Sequence, residues 1–287
     1  MYTLFARGDF REALAAPEEG LRLAGEERTL GSAVAVVSPY AWLLLMRGLL
    51  QGWTGRLGEA KRNLEQAIQV AGEDGDAETE AWAHMMLVAV GELADAPEEV
   101  LAHAREAVAI AEVAAGTFSR ALAQQFLGIA HVVRSEWDDA VAALERALSI
   151  YRERDVGLEE ESMSLAFLAR ARLGRGDAAA ALAAADEAVR LASRRGTKAF
   201  EMHARHQRAR ALLAIGGRSA AAAAGDEIQR ALALVEKPGA GPSSRACTGS
   251  SPSWPGCAVD ETTRQHELRE AERLIAEIGG RRRPQPH

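Results

Sequence analysis

The feature that most constrains the fold of this chain is a pattern of small and apolar residues that returns about every 40 residues. Its clearest copy, 135–151, begins with a turn residue and has a bulky residue two places later. Ala140 and Ala147 are its small residues, and apolar residues end it. Four copies have turn residues at intervals of 40, 40 and 41 residues, namely Gly55, Asp95, Ser135 and Gly176. Such a period is typical of stacked helical hairpins, in which each unit buries its apolar face on the next.

Composition favours helices over strands in these units. Apolar residues make up 48% of the 287 residues, Ala dominates, and aromatic residues are only 5%. Small side chains at fixed spacing let helices approach closely, and apolar residues recur at helical spacing. We therefore predict an all-α fold, a right-handed α-solenoid of antiparallel helix pairs. The first helices of five pairs, called A helices below, are predicted within 41–51, 81–93, 121–134, 162–173 and 202–215.

The turns between paired helices carry stop and start signals. Glycine adopts positive φ at little cost, and Asp or Ser accepts a hydrogen bond from the first turn of the next helix. We expect left-handed turn residues at Gly55, Gly176 and Gly216, and helix N-caps at Asp95, Ser135 and Asp177.

Four segments are predicted along the chain. Residues 1–236 form a repeat array of about six repeats, of which the first is incomplete. Residues 237–260 are rich in Gly, Pro and Ser, which predicts a disordered insert; a frame-shifted reading of the gene would give a similar composition. Residues 261–280 predict a terminal amphipathic helix, and 281–287 a frayed tail.

Charge and motifs exclude several function classes. The net charge of −7 argues against direct nucleic-acid binding, which needs a concentrated positive field. The chain shows no signal peptide and no uninterrupted apolar span, so we expect a cytoplasmic protein without membrane contact. It lacks the motifs of phosphate-binding loops, zinc proteases and serine hydrolases, which predicts a protein that is not an enzyme and has no cofactor.

A zinc site in the insert is the weakest of the alternatives. Its ligands would be Cys247, Cys257, Asp260 and His266. Their spacing fits no known finger or ribbon, so incidental cysteines are the preferred interpretation and no metal is predicted.

Leu127, Gly128, Trp137, Ala140 and Ala147 carry a resemblance to the tetratricopeptide repeat superfamily. The interval here is longer than the family's 34 residues, and in this it resembles the MalT-type repeats of bacterial class III adenylate/guanylate cyclases and LuxR-type regulators. Residues 208–217 and 266–280 look like the closing repeats of such cyclase-associated proteins. The resemblance implies that A helices line a concave surface.

Equivalent A-helix positions form three columns that share one helix face. They lie thirteen, ten and six residues before each turn. The candidate partner-binding residues thirteen before the turn are Trp42, Trp82, Leu122, Met163 and His203. Those ten before it are Leu45, Met85, Gln125 and His206, and those six before it are Leu49, Ile129, Arg170 and Arg210. This face predicts a groove that is apolar towards the N terminus and basic towards the C terminus, suited to an amphipathic or acidic peptide. Two alternatives remain open: the apolar members pack between helices, and the basic members form a solvated surface balanced by Glu201 and 159–161.

These observations together predict a non-catalytic scaffold for protein interaction or ligand sensing, and the resemblance implies that it belongs to a bacterial signalling or transcription-regulating system. A protein or peptide bound along the A-helix face is the expected partner, with self-association as an alternative. A second hypothesis is that the chain is the regulatory part of a nucleotide cyclase whose catalytic domains lie outside this sequence.

Overall fold

A computed structural model describes residues 10–25, 27–28, 37–94 and 96–236. Within them the chain forms eleven α-helices joined by short turns. They are α1 (Phe10–Ala24), α2 (Pro39–Trp53), α3 (Leu57–Asp74), α4 (Ala77–Leu93), α5 (Pro97–Ala114), α6 (Thr117–Val133), α7 (Trp137–Arg154), α8 (Glu161–Gly174), α9 (Ala178–Arg195), α10 (Lys198–Gly216) and α11 (Ala221–Glu236). Short 3-10 turns, Leu158–Glu160 and Gly217–Ala220, precede α8 and α11.

The helices pack as sequential antiparallel pairs, which confirms the predicted fold class. The pairs are α2 with α3, α4 with α5, α6 with α7, α8 with α9, and α10 with α11, and α1 packs on the first of them. The even-numbered helices are the predicted A helices, which begin one to four residues earlier than the periodicity indicated. The right-handed sense of the solenoid stays a prediction.

Four turns within the pairs repeat one backbone hydrogen bond. The N–H donor lies one residue after the turn position and the carbonyl acceptor five residues before the donor, as in Arg56 to Gln51 and Glu136 to His131, both at 2.9 Å. This 6→1 bond is the Schellman ending of a helix, which needs a left-handed residue just before the donor. Gly55 and Gly176 supply it as predicted, with φ of 75° and 90°.

Two of the predicted turn signals are wrong. Ser135 takes the left-handed position itself, with φ of 61°, so it is the turn residue, and the N-cap position of α7 belongs to Glu136. Gly216 stays helical at φ −101°, and Gly217 has the positive φ. Asp177 is an N-cap as predicted, since its Oδ1 accepts from the Ala180 N–H at 3.0 Å, whereas Asp95 lies outside the described residues.

One continuous apolar core joins the pairs. It runs from Ala13 on α1 to Ala204 on α10, and alanine is its commonest residue, whereas α11 packs on α10 through separate small apolar clusters. Ala140 and Ala147, the small residues of the repeat, are completely buried, which is the close approach that the repeat pattern predicts. Among the described residues, no helix has both the length and the apolar content needed to cross a membrane. The predicted insert, terminal helix, tail and zinc ligands lie outside the described residues.

Candidate partner-binding groove

All five A helices contribute side chains to one groove, which encloses a cavity volume of about 200 Å³. On α2, α4, α6 and α8 most lining residues follow the spacing i, i+4, i+7 and i+11, which is a single face of an α-helix. They are Trp42, Met46, Leu49 and Trp53 on α2, Trp82, Met86, Ala89 and Leu93 on α4, Leu122, Phe126 and Ile129 on α6, and Met163 and Phe167 on α8. Helix α10 closes the groove with Ala199, Phe200, Met202 and His203.

Nine of the thirteen predicted groove residues meet here. They are Trp42, Leu45, Leu49, Trp82, Leu122, Gln125, Ile129, Met163 and His203. The other four do not line the groove. Met85 is completely buried in the core and His206 is buried at 5% exposure, while Arg170 and Arg210 are half-buried outside the lining.

The sequence analysis missed the column nine residues before each turn. Its members are Met46, Met86, Phe126, Phe167 and Gln207, and the first four line the groove. The column chosen instead, ten residues before each turn, is buried throughout, and of its members Leu45 and Gln125 also line the groove. The missed signal was a large apolar side chain four residues after Trp42, Trp82, Leu122 and Met163.

One wall of the groove is a row of aromatic rings. The ring centroids of Trp42 and Trp82 lie 5.3 Å apart, and those of Trp82 and Phe118 lie 5.7 Å apart in an edge-to-face arrangement. Such pairs add attraction beyond the burial of their area. The indole N–H of Trp82 donates to Ser119 Oγ at 2.8 Å, which fixes the ring further. The wall is therefore preformed.

A small polar patch interrupts the apolar lining. Gln125, only 1% exposed, accepts hydrogen bonds at Oε1 from the hydroxyls of Tyr151, at 3.2 Å, and Ser164. Its Nε2 donates to Glu160 Oε2 at 3.3 Å. Because Glu160 belongs to the 3-10 turn before α8, this patch places a carboxylate in the groove.

The predicted basic end of the groove is wrong, because acidic side chains neutralise the arginines. Arg170 Nη1 lies 2.9 Å from Glu92 Oε1, although 78 residues separate them in sequence. Arg172 pairs with Glu145 at 2.9 Å. The described lining residues include two carboxylates, Glu92 and Glu160, and no lysine or arginine.

Two further arginines of α10, Arg205 and Arg208, pair with a buried glutamate of α11. Glu227, 2% exposed at its side chain, contacts Arg205 and Arg208 at 2.8 Å and Arg230 at 2.7 Å. Arg205 also meets Glu201 at 2.6 Å. These ion pairs link α10 to α11.

A group of possible metal ligands lies at the turn before α7. His131, Glu136 and Asp139 have ligand atoms within 4.8 Å of one another. The Glu136 carboxylate already bonds His131 Nδ1 at 2.7 Å and Arg134 Nε at 2.8 Å, contacts that hold its pKa below the usual range. The positive charge of the Arg134 guanidinium would repel a metal ion at this place. We therefore interpret the cluster as an ion-pair network.

The fold and groove define an all-α array of helical hairpins. No protein-family model matches the chain, and no curated protein matches it. Two solved structures of TPR-like repeats, attributed to a kinesin light chain of Podosopora anserina, are similar to it. Each is 20% identical; one covers 67% of this chain and 92% of its own with a TM-score of 0.49, the other 66% and 93% with 0.48. The repeat assignment rests on the helix pairs and their shared turns.

Proposed function

We propose that this protein is a non-catalytic interaction scaffold whose groove binds an amphipathic helical segment of a partner protein. The observation that carries the proposal is the preformed, almost wholly apolar lining contributed by five successive A helices. A lining of this kind favours removal of apolar side chains from water.

The lining also favours a helix over an extended peptide. An extended peptide needs hydrogen bonds for its own backbone, and a buried N–H or C=O left without a partner costs about 1–3 kcal/mol. The described lining offers few polar groups, mainly Gln125, Glu160, Glu92 and His203. A helix satisfies its backbone internally and presents apolar residues at i, i+3, i+4 and i+7, the pattern that apolar grooves bind.

A groove-filling substitution tests this proposal. Ala89 lines the groove, whereas Ala102 is exposed on α5, so Ala89→Phe and Ala102→Phe add the same ring inside and outside the site. The probe is a fluorescein-labelled 18-residue helical peptide with a leucine stripe, titrated by anisotropy. We expect Ala102→Phe to bind like wild type and Ala89→Phe to bind at least about tenfold more weakly. Equal affinities for the two variants would contradict the proposal.

Removing Trp82 separates binding from packing. Trp82→Ala removes part of the aromatic wall, and we expect it to weaken peptide binding more than it lowers the free energy of unfolding. An equal loss of both would favour a packing role for this half-buried ring. A dimer that depends on Trp82, seen by analytical ultracentrifugation, would replace the partner helix by a second copy of the chain.

The cellular context is a further part of the proposal. The resemblance of 208–217 and 266–280 to cyclase-associated repeats supports a cytoplasmic role in a bacterial signalling or transcription-regulating system. The alternative is the regulatory part of an adenylate or guanylate cyclase. An in-frame cyclase domain upstream in the gene would favour the alternative, and a separate regulator gene would favour the scaffold.

A further inference from the structure

We propose that His84 and His103 form a binding site for a divalent transition-metal ion, held between the Nδ1 atoms of the two rings. The site lies between α4 and α5, and neither histidine belongs to the described lining of the groove. The proposal therefore does not rest on the proposed function.

The spacing of the two nitrogens is the first step. His84 Nδ1 and His103 Nδ1 lie 3.0 Å apart. Metal–nitrogen bonds of about 2.0–2.1 Å place two donor nitrogens about 2.9 Å apart at neighbouring positions of a square-planar or octahedral ion, and about 3.3 Å apart on a tetrahedral one. The observed separation lies between these values, so the rings need to turn towards an ion but the helices do not need to move apart.

The protonation state of the rings is the second step, because a histidine binds a metal only through a nitrogen that carries no proton. Burial lowers the pKa of His84 to about 4 and also lowers the pKa of His103, so both rings are neutral at pH 7. In the hydrogen bond between them, one ring carries its proton on Nδ1. When an ion binds, that proton moves to Nε2 of the same ring, and both Nδ1 lone pairs are then available to the metal.

The charges around His103 are the third step. Glu99 and Glu65 favour a positive charge at this ring, and Lys61 opposes it. The Lys61 ammonium lies 2.5 Å from the Glu99 carboxylate, which neutralises it. Two carboxylates and one ammonium leave a net charge of −1 around the ring, and this charge attracts a cation.

The contacts of the ligand atoms separate this site from the group at His131. There the Glu136 carboxylate is already bonded to Arg134. In the part of the chain that the structure describes, no lysine or arginine contacts the Nδ1 atom of His84 or His103, and each of these atoms bonds the other. An ion between them therefore displaces no cation.

The exposure of the pair indicates which ions suit it. His84 is buried at 9% exposure, whereas His103 is half-buried, so one side of the pair reaches solvent and water can complete the coordination. Imidazole ligands favour Zn²⁺, Cu²⁺ and Ni²⁺, whereas Mg²⁺ takes oxygen ligands.

The test is a titration of the full chain with Zn²⁺ alone, followed by long-range ¹H–¹⁵N spectra that report each histidine ring separately. We expect the signals of His84 and His103 to change together with Zn²⁺, to return when EDTA is added, and to stay unchanged with Mg²⁺. Unchanged signals of these two rings at a large excess of Zn²⁺, or a change at only one of them, would overturn the proposal. This titration of wild type decides the question even if a variant fails to fold.

Removing one ring tests whether the two nitrogens act together. In His103→Leu, the His84 signal should need at least about tenfold more Zn²⁺ for the same change, because the ion loses one of its two protein ligands. His131→Leu is the control, since it removes a histidine of the other group and should leave the titration of His84 unchanged. The same Zn²⁺ dependence of His84 in wild type and His103→Leu would overturn binding by the pair. Peptide binding in the groove is measured separately, so neither result decides the other.

Discussion

At the scale of single residues, Gly128 sets the distance between α6 and α7. A Cβ atom at this position would lie 2.5 Å from Leu144 Cγ and 2.9 Å from Leu144 Cδ2, well inside normal contact. Gly48 has the same relation to Leu64, at 2.7 Å, in the equivalent position of the first pair. The missing side chain lets the leucine of the second helix fill the interface.

We expect Gly128→Ala to destabilise the protein by about 1–3 kcal/mol, because the added methyl group overpacks the interface. Helix propensity by itself favours alanine over glycine by about 1 kcal/mol. A loss of stability in Gly128→Ala would therefore show that packing outweighs propensity. Gly225 on α11 is the control, since a Cβ there meets nothing within 4 Å, and Gly225→Ala should stabilise by up to about 1 kcal/mol. Urea unfolding measures both changes, and the same sign in both would contradict the packing argument.

Ser135 and Gly176 occupy the same turn position, and both have positive φ. A left-handed conformation costs a residue with a Cβ roughly 1–2 kcal/mol more than glycine. Ser135→Gly should therefore raise the free energy of unfolding by about 1 kcal/mol, and Gly176→Ser should lower it by a similar amount. Thermal unfolding with calorimetry checks the pair; a stability loss in Ser135→Gly would show that the Ser135 side chain stabilises the turn.

The sequence predicts these residue positions only in part. The repeat pattern identifies the small residues Gly128 and Ala140. It does not identify clearly which face of each A helix lines the groove. Met85 and Met86 are both large and apolar, although Met85 faces the core and Met86 faces the groove. Both sides of an A helix therefore carry apolar residues. Periodicity that marks one apolar stripe cannot choose between two adjacent ones.

At the scale of the elements, a histidine pair joins α4 to α5. The Nδ1 atoms of His84 and His103 are 3.0 Å apart, so one ring must donate and the other accept, which requires both to be neutral or to share a proton. Burial lowers the pKa of His84 to about 4, and the neighbouring His103 adds to the effect. Burial also lowers the pKa of His103. The contact therefore holds best when neither ring is charged.

This pair predicts acid sensitivity of the α4–α5 hairpin. The pKa of His84 is lower in the folded protein than its ordinary value of 6.5, so the unfolded state binds protons first as the pH falls. The free energy of unfolding should then fall between about pH 6.5 and pH 4, by up to about 3 kcal/mol from His84. Urea unfolding across this range measures the loss.

A double variant isolates the contribution of the pair. We expect His84→Leu with His103→Leu to have a flatter stability profile than wild type over the same pH range, because neither imidazole remains to be protonated. Identical profiles would show that other groups cause the pH dependence.

Sequence reasoning does best at this scale. Helix order, pairing and the approximate starts of the A helices follow from the period and from the turn residues. The role of Ser135 was wrong because serine is both a good N-cap and a tolerable turn residue, and only the backbone conformation decides between them. The His84–His103 contact joins positions 19 residues apart that no repeat column relates.

At the scale of the whole molecule, Arg170 and Glu92 connect helices two pairs apart. Their contact joins α8 to α4, and Glu92 also lines the groove. A tie between non-neighbouring pairs restrains the curvature of a repeat array, in which each unit otherwise contacts mainly its neighbours.

We expect replacing both partners, Arg170→Met with Glu92→Met, to widen the array without leaving a charge unpaired. Small-angle X-ray scattering should show a larger radius of gyration, and the leucine-stripe peptide should bind more weakly. Arg175→Met, which breaks an exposed pair with Asp138, is the control and should change neither quantity. An unchanged radius in the double variant would show that packing alone sets the curvature.

The sequence could not predict this long-range charge pairing. The period indicates that the pairs stack, but each pair is slightly rotated relative to the next. The total rotation over 78 residues decides whether Arg170 and Glu92 come into contact, and it cannot be calculated from a local sequence pattern. For that reason the arginine column was interpreted as a basic groove end, whereas the folded chain brings the distant Glu92 to Arg170.

The tilted contact of Trp42 with Trp82 has an optical consequence. Two indoles with centroids 5.3 Å apart and planes inclined by 49° are close enough for their excited states to couple. The protein should therefore show an exciton couplet in its far-ultraviolet circular dichroism, superimposed on the helical signal. A change in the angle or spacing of the two rings would alter that couplet, so this chromophore pair reports movement of α2 relative to α4 without an added label.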